Sequence, residues 1–287
     1  MALTSRIDLL STILLCGFIA LTSRVSHAQL VVDYDNFDGQ VMIDGNKWFG
    51  NEQSGGTDII RRVQNGELVL AFGAWGNTDS DEGQANLRNR LRFNEDSVDL
   101  SSVTTVVFDG TIDALVMQDC PGNPLRANAE LRWIREFFND GSSTGPDDLT
   151  GNIGAVMRMI RFPDGTNSIE TSIYRCTNAD CSEDVDLHGA SYATEWSLGE
   201  KQVLAVRWEP ENDLFRFVLN PFLPGQELIV GSYSGFSDSD PPVGQFMYIG
   251  NRVRAPNCTT GRKQAAILSR VDNVQLNPTA ILPSESE

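Results

Sequence analysis

The sequence predicts an all-β protein folded as an antiparallel β-sandwich of the jelly-roll kind, and three observations carry that expectation. Short runs alternate in polarity with a period of two, as in GELVLAF, where Leu68, Leu70 and Phe72 share one face. Gly, Asn, Asp and Pro separate nearly all of these runs, as in FPDGTNS and EPEND. No long segment keeps an apolar stripe at helical spacing, so the crossover helices of a parallel α/β fold are missing. Strands with one wet face must bury the other against a second sheet, which makes the sandwich the expected architecture.

The elements bear this out in order. ANAELRWIREFF sets Ala129, Leu131 and Trp133 against Glu130, Arg132 and Ile134. GAVMRMIRF, SIETSIYR, KQVLAVRW, DLFRFVLN and QFMYIGNRV follow, and in DLFRFVLN the side chains of Phe215, Phe217 and Leu219 share one side. Ahead of them all, Arg6 precedes an apolar run from Leu9 to Leu21, and Ser26-His27-Ala28 supplies small residues at the cleavage positions. This is the pattern of a secretory signal over residues 1–28, so the mature chain is expected to be secreted or periplasmic. Residues 29–277 read as one domain and 278–287 as a loose tail.

The formal net charge is -17. Such a surface repels nucleic acid and anionic membranes, and neither is an expected partner. No later run is apolar enough for a membrane span. Beyond the signal, four cysteines remain, an even number that favours disulfides in an exported chain. The simplest of the three pairings joins Cys176 to Cys181 and Cys120 to Cys258. Their wide spacing matches no zinc knuckle.

DYDNFDGQVMIDGNKW, RRVQNGELVLAF and SRVDNVQLN together resemble the start and end of concanavalin A-like lectin/glucanase sandwiches. The likeness is closest to the framework of laminarinase-type glycoside hydrolases and spans most of residues 30–277. That resemblance implies a structural calcium ion with Asp38, Gly66 and Asp272 as its ligands; the aspartates of the first stretch read equally as turn caps. It also implies a catalytic Glu-x-Asp-x-x-Glu strand, and this is absent: AELRWIRE offers Glu130, places Arg132 where the aspartate belongs, and brings Glu136 one residue late.

Alginate-lyase-like proteins use the same scaffold with an Arg-x-Glu-x-Arg strand, a Gln-x-His segment and a terminal strand bearing Tyr and Lys. Here Glu130, Arg132, His188 and Tyr248 are the candidates for such a site, although Asn128 replaces the first arginine. Glu130 and Arg132 read equally as the polar side of one strand, pairing with Arg158 or Glu170. Without a catalytic motif, the favoured function is a non-catalytic, lectin-like binder of polysaccharide or glycan. The alternatives are a polysaccharide hydrolase or lyase and a structural envelope or matrix protein. Trp75, Trp133, Trp208 and Tyr233 are the candidate stacking platforms for sugar rings, with Trp133 and Trp208 reading equally as core residues of their strands, while Trp48 reads as packing.

Overall fold

The computed structural model describes residues 32–53, 59–94, 96–98, 103–138, 148–193, 196–209, 214–220, 228–233 and 246–277. The expected signal segment and tail lie outside them. In chain order the strands are β1 (Val32–Asp35), β2 (Trp48–Gln53), β3 (Ile59–Gln64), β4 (Glu67–Trp75), β5 (Gln84–Phe93), β6 (Thr105–Met117), β7 (Asn128–Phe138) and β8 (Ile153–Arg161). They continue as β9 (Asn167–Cys176), β10 (Asp184–Ala193), β11 (Lys201–Glu209), β12 (Leu214–Leu219), β13 (Leu228–Tyr233), β14 (Phe246–Pro256) and β15 (Gln264–Leu276).

These strands form two antiparallel sheets. One runs β13-β12-β11-β6-β15-β4-β3, with β1 added against β15; the other runs β10-β9-β8-β7-β14-β5-β2. The all-β antiparallel sandwich is thus the observed fold. Among the described residues no helix is long and apolar enough to cross a membrane.

One apolar core fills the space between the sheets. Leu68, Leu70, Phe72 and Ala74 of β4 face Leu131, Met157, Ile249 and Val253 of the second sheet. Asn251 is a buried exception on that inner face. Its amide donates to the Leu70 carbonyl and to Ser269 Oγ, both at 3.0 Å, and so ties one sheet to the other. The last strand shows how alternation survives an interruption. Ala265, Ile267, Ser269 and Val271 point inward, a bulge follows at Asp272–Gln275, and Val274 and Leu276 then turn inward with the opposite parity. The extra residue, Asn273, sits at φ 47°, and its amide reaches Asp109 at 2.8 Å.

The acidic opening stretch is structural. Asp35 is buried, and its Oδ1 accepts from the Phe37 backbone N–H at 3.0 Å, from Gln40 Nε2 at 2.6 Å and from Lys47 Nζ at 3.3 Å. Its Oδ2 accepts from Trp48 Nε1 at 2.7 Å. The Trp48 ring packs against Tyr34, Phe37 and Phe93. Asp35 therefore fastens the turn after β1 to an aromatic cluster, and the packing expectation for Trp48 holds.

Disulfides join Cys120 to Cys258 and Cys176 to Cys181. Around the first, Asp81 Oδ1 accepts from the Thr259 backbone N–H at 2.7 Å, and Asn257 bonds both Asn77 and Glu82. Three loops are thus locked together at one end of the sandwich. Asp81, Cys120 and Cys258 form the one Asp/Glu/His/Cys group within metal-ligand reach among the described residues. Both sulfurs in it are bonded to each other, so that group offers a single carboxylate to an ion.

Candidate functional site

Strand alternation, which sends one set of side chains into the core, sends the other onto the outer face of the seven-stranded sheet. There β5 presents Arg88, β7 presents Glu130 and Arg132, and β8 presents Val156 and Arg158. Strand β9 adds Glu170, Ser172 and Tyr174, and β14 adds Tyr248, Arg252 and Arg254. Asp184, Asp186 and Ser191 of the edge strand β10 complete a cleft of about 590 Å³. The register places Arg88 opposite Arg252, Arg252 opposite Glu130, and Arg132 opposite Arg158. Residues from six strands meet because β14 inserts between β5 and β7.

Glu130 is the centre of this arrangement. Its side chain is 1% exposed, with Arg158 Nε at 3.4 Å, Arg252 Nε at 3.5 Å and Arg132 Nη1 at 3.7 Å. Its oxygens accept no hydrogen bond, so the attraction is coulombic. Burial pushes the Glu130 carboxyl up, but Arg132, Arg158, Arg252 and Arg254 outweigh burial and hold it at about 2. Arg158 also donates to Glu170 from Nε at 2.8 Å, and Arg252 Nε donates to Asn86 Oδ1 at 2.7 Å. Burial drives the Arg252, Arg254 and Arg88 guanidiniums below their ordinary range, and neighbouring arginines add to the push. A guanidinium does not surrender its proton in a protein, so this crowding is a standing demand for negative charge.

The apolar part of the cleft is aromatic. Tyr248 is buried beneath the Arg90 guanidinium, which lies 4.6 Å from the ring centroid. Val156 and Tyr174 pack beside it. Gly154 makes room for Tyr174, since a Cβ there would sit 2.1 Å from the ring.

Of the four candidates for lyase chemistry, Arg132 and Tyr248 line the cleft, Glu130 lies buried in its floor, and His188 is placed outside its lining between Asp186 and Gly189. Trp208 requires a correction. It is 4% exposed and packs in the core with its centroid 4.7 Å from that of Phe215, so it offers no face to a sugar. Trp75 is exposed at the end of β4, on the other sheet, with Arg262 above its ring. The side chains of Trp133 and Tyr233 lie outside the described residues, although their backbones pair in β7 and β13.

The three residues expected to hold calcium all lie among the described residues. The Asp38 carboxylate lies against Gly66, 2.7 Å from where a Cβ would stand. Asp272 accepts from the Asn273 backbone N–H at 2.8 Å and lies 3.8 Å from Lys201 Nζ, which donates to Asp109 at 2.8 Å.

Arg88, Arg252, Arg254 and Tyr174 were not singled out in the sequence. Their signal is present in NLRNRLRF, where Arg88, Arg90 and Arg92 alternate, and in NRVRAP, where Arg252 and Arg254 do. Nineteen arginines against three lysines is a second clue, because the planar fork suits fixed anion contacts.

Fold and site together define an antiparallel jelly-roll sandwich with an arginine-floored cleft on one sheet. No model of a known protein family matches the chain, and no curated protein matches it in sequence. Solved structures are similar to it in shape. The Emp47p carbohydrate recognition domain is 12% identical with a TM-score of 0.38, covering 86% of this chain and 99% of its own. A legume lectin-like domain from Entamoeba histolytica is 10% identical, with a TM-score of 0.38 and coverage of 75% and 86%. The alginate lyase Aly36B is 10% identical, with a TM-score of 0.37 and coverage of 85% and 98%. No residue role is carried over from them.

Proposed function

We propose that the protein is a non-catalytic carbohydrate-binding module acting outside the cytoplasm, with the cleft over β5, β14, β7, β8, β9 and β10 as its glycan site. The carrying observation is the state of Glu130. A general acid for glycosidic chemistry needs a raised pKa and access to the leaving oxygen. Glu130 has neither, being walled in by guanidiniums that hold it ionised. Glu170, the nearest second carboxylate in the cleft, is bound to Arg158 at 2.6 Å. The missing Glu-x-Asp-x-x-Glu strand of the laminarinase-type framework supports the same reading. What remains is a polar cleft of ligand size with hydroxyl, carboxylate and guanidinium groups converging on tyrosines, a set suited to binding sugar.

A lyase is the second reading, favoured by Arg132 and Tyr248 lining one cleft. The test is depletion of the mature protein by a panel of neutral and acidic polysaccharides, with reducing ends and unsaturated uronate absorbance followed in the same samples. Retention without products is the expected result. Product release transfers the assignment to an enzyme, and no retention at all transfers it to a structural role.

A calcium ion at Asp38, the Gly66 backbone and Asp272 is proposed on the sequence resemblance, with support from the contact between Asp38 and Gly66. Calcium is expected to raise the melting temperature of the wild type by a few degrees, about 1 kcal/mol of added stability. Asp38→Ala should abolish that rise, and a melting temperature indifferent to calcium and EDTA retires the ion.

A further inference from the structure

We propose that the cleft is selective for anionic saccharide, a uronate carboxylate or a sulfate ester on a polysaccharide, and that Arg88 and Arg254 grip the anionic group directly. This rests on the glycan-binding reading and narrows it to one charge class and two residues.

The five cleft arginines fall into two groups. Arg132, Arg158 and Arg252 are engaged by Glu130, and two of them additionally by Glu170 or Asn86. Arg88 and Arg254 have no hydrogen bond or ion pair among the described residues, and the Nε of Arg254 is buried without an acceptor. The two stand on adjacent strands. Arg88 is in register with Arg252, so Arg254 is its diagonal neighbour, about 7–8 Å away. Two such guanidiniums on one wall can present their forks to a single carboxylate or sulfate group.

Their surroundings call for that group. The cations acting on Arg88 are Arg90 and Arg132; those acting on Arg254 include Arg158, Arg132 and Arg88, with Glu130 as the opposing charge. Glu130 is already shared among three other guanidiniums. An anion entering here neutralises a cationic excess that the described residues only partly compensate. The opposite rim explains why the anion belongs to a sugar. Asp184, Asp186, Ser172 and Ser191 are acceptors and hydroxyls that an inorganic anion has no use for, and that sugar hydroxyls satisfy. The net charge of -17 repels a polyanion at long range, so selectivity must come from contact inside the cleft.

The experiment is calorimetric titration of the mature protein with alginate oligosaccharide, a sulfated galactan, neutral laminarin and double-stranded DNA, repeated for Arg88→Gln and Arg254→Gln. The wild type is expected to bind alginate or the sulfated galactan, and which of the two binds more tightly identifies the anionic group. Laminarin should bind at least about tenfold more weakly, the loss of a charge-assisted contact, and so should DNA, which lacks the hydroxyls for the acidic rim. Each substitution should weaken binding about ten- to a hundredfold. The unliganded melting temperature should be unchanged or higher in both variants, because a like-charge repulsion has been removed. Arg88→Lys, which keeps the charge without the fork, should recover part of the loss. Laminarin binding as tightly as alginate overturns the charge class and leaves the glycan reading standing. Failure of all three polysaccharides overturns the glycan reading itself. DNA binding on a par with alginate overturns saccharide recognition. Unchanged affinity in both variants, or a lowered melting temperature in both, overturns the clamp.

Discussion

Glu130→Gln should lower the stability of the folded protein by about 3 kcal/mol, because it leaves a group of buried guanidiniums without their shared counter-charge. The pH dependence gives the sign. The carboxyl is held at about 2 in the fold against an ordinary 4.5, so the unfolded chain takes up the proton first as pH falls. Its contribution is fully present above about pH 4.5 and is lost progressively down to about pH 2. A shift of that size corresponds to about 3 kcal/mol, in line with the mutational expectation. Urea denaturation across pH 2 to 7 checks both. The wild type should show a steeper acid limb than the Gln variant. Equal limbs in the two proteins would mean that the arginines do not depend on Glu130.

The second large effect is at Asp35. Asp35→Ala removes the acceptor of four donors and leaves the Trp48 indole N–H and the Phe37 amide buried without partners. The expected loss is about 3 kcal/mol, with little of it from Lys47, whose side chain is one-third exposed. Its exposed neighbour is the control. Asp38→Ala in calcium-free buffer should stay within about 0.5 kcal/mol of wild type. Chemical denaturation followed by tryptophan fluorescence separates the two, and similar losses at both positions would show that the turn, and not the carboxylate network, is the source of stability.

Much of the fold was legible because β alternation is a local property. Leu68, Leu70 and Phe72 point inward as their spacing demands, and Ala129 and Leu131 do so against Glu130 and Arg132. The sandwich itself follows from many such strands with no helical stripe. Trp208 stayed open between a sugar-facing and a core role for the same local reason. Period two says which residues share a face with Trp208, but it does not say which face meets the core; its partner Phe215 settles that.

The candidate site was half legible. Glu130, Arg132 and Tyr248 were singled out through resemblance, and the pairing of Glu130 with Arg158 was foreseen as the structural reading of those same residues. The arginines of β5 and β14 were passed over because an overall charge of -17 directs attention to cations, whereas a binding cleft depends on local charge.

By itself the sequence determined the secondary structure type, the two faces of most strands and the acidic surface, all of which depend on neighbours within a few residues. The tertiary structure decided that β14 lies between β5 and β7, that Asp35 is spent on Trp48, and that arginines more than a hundred positions apart surround one buried carboxylate. Strand order is set by long-range pairing and by packing of one sheet on the other, and no short window of residues encodes it.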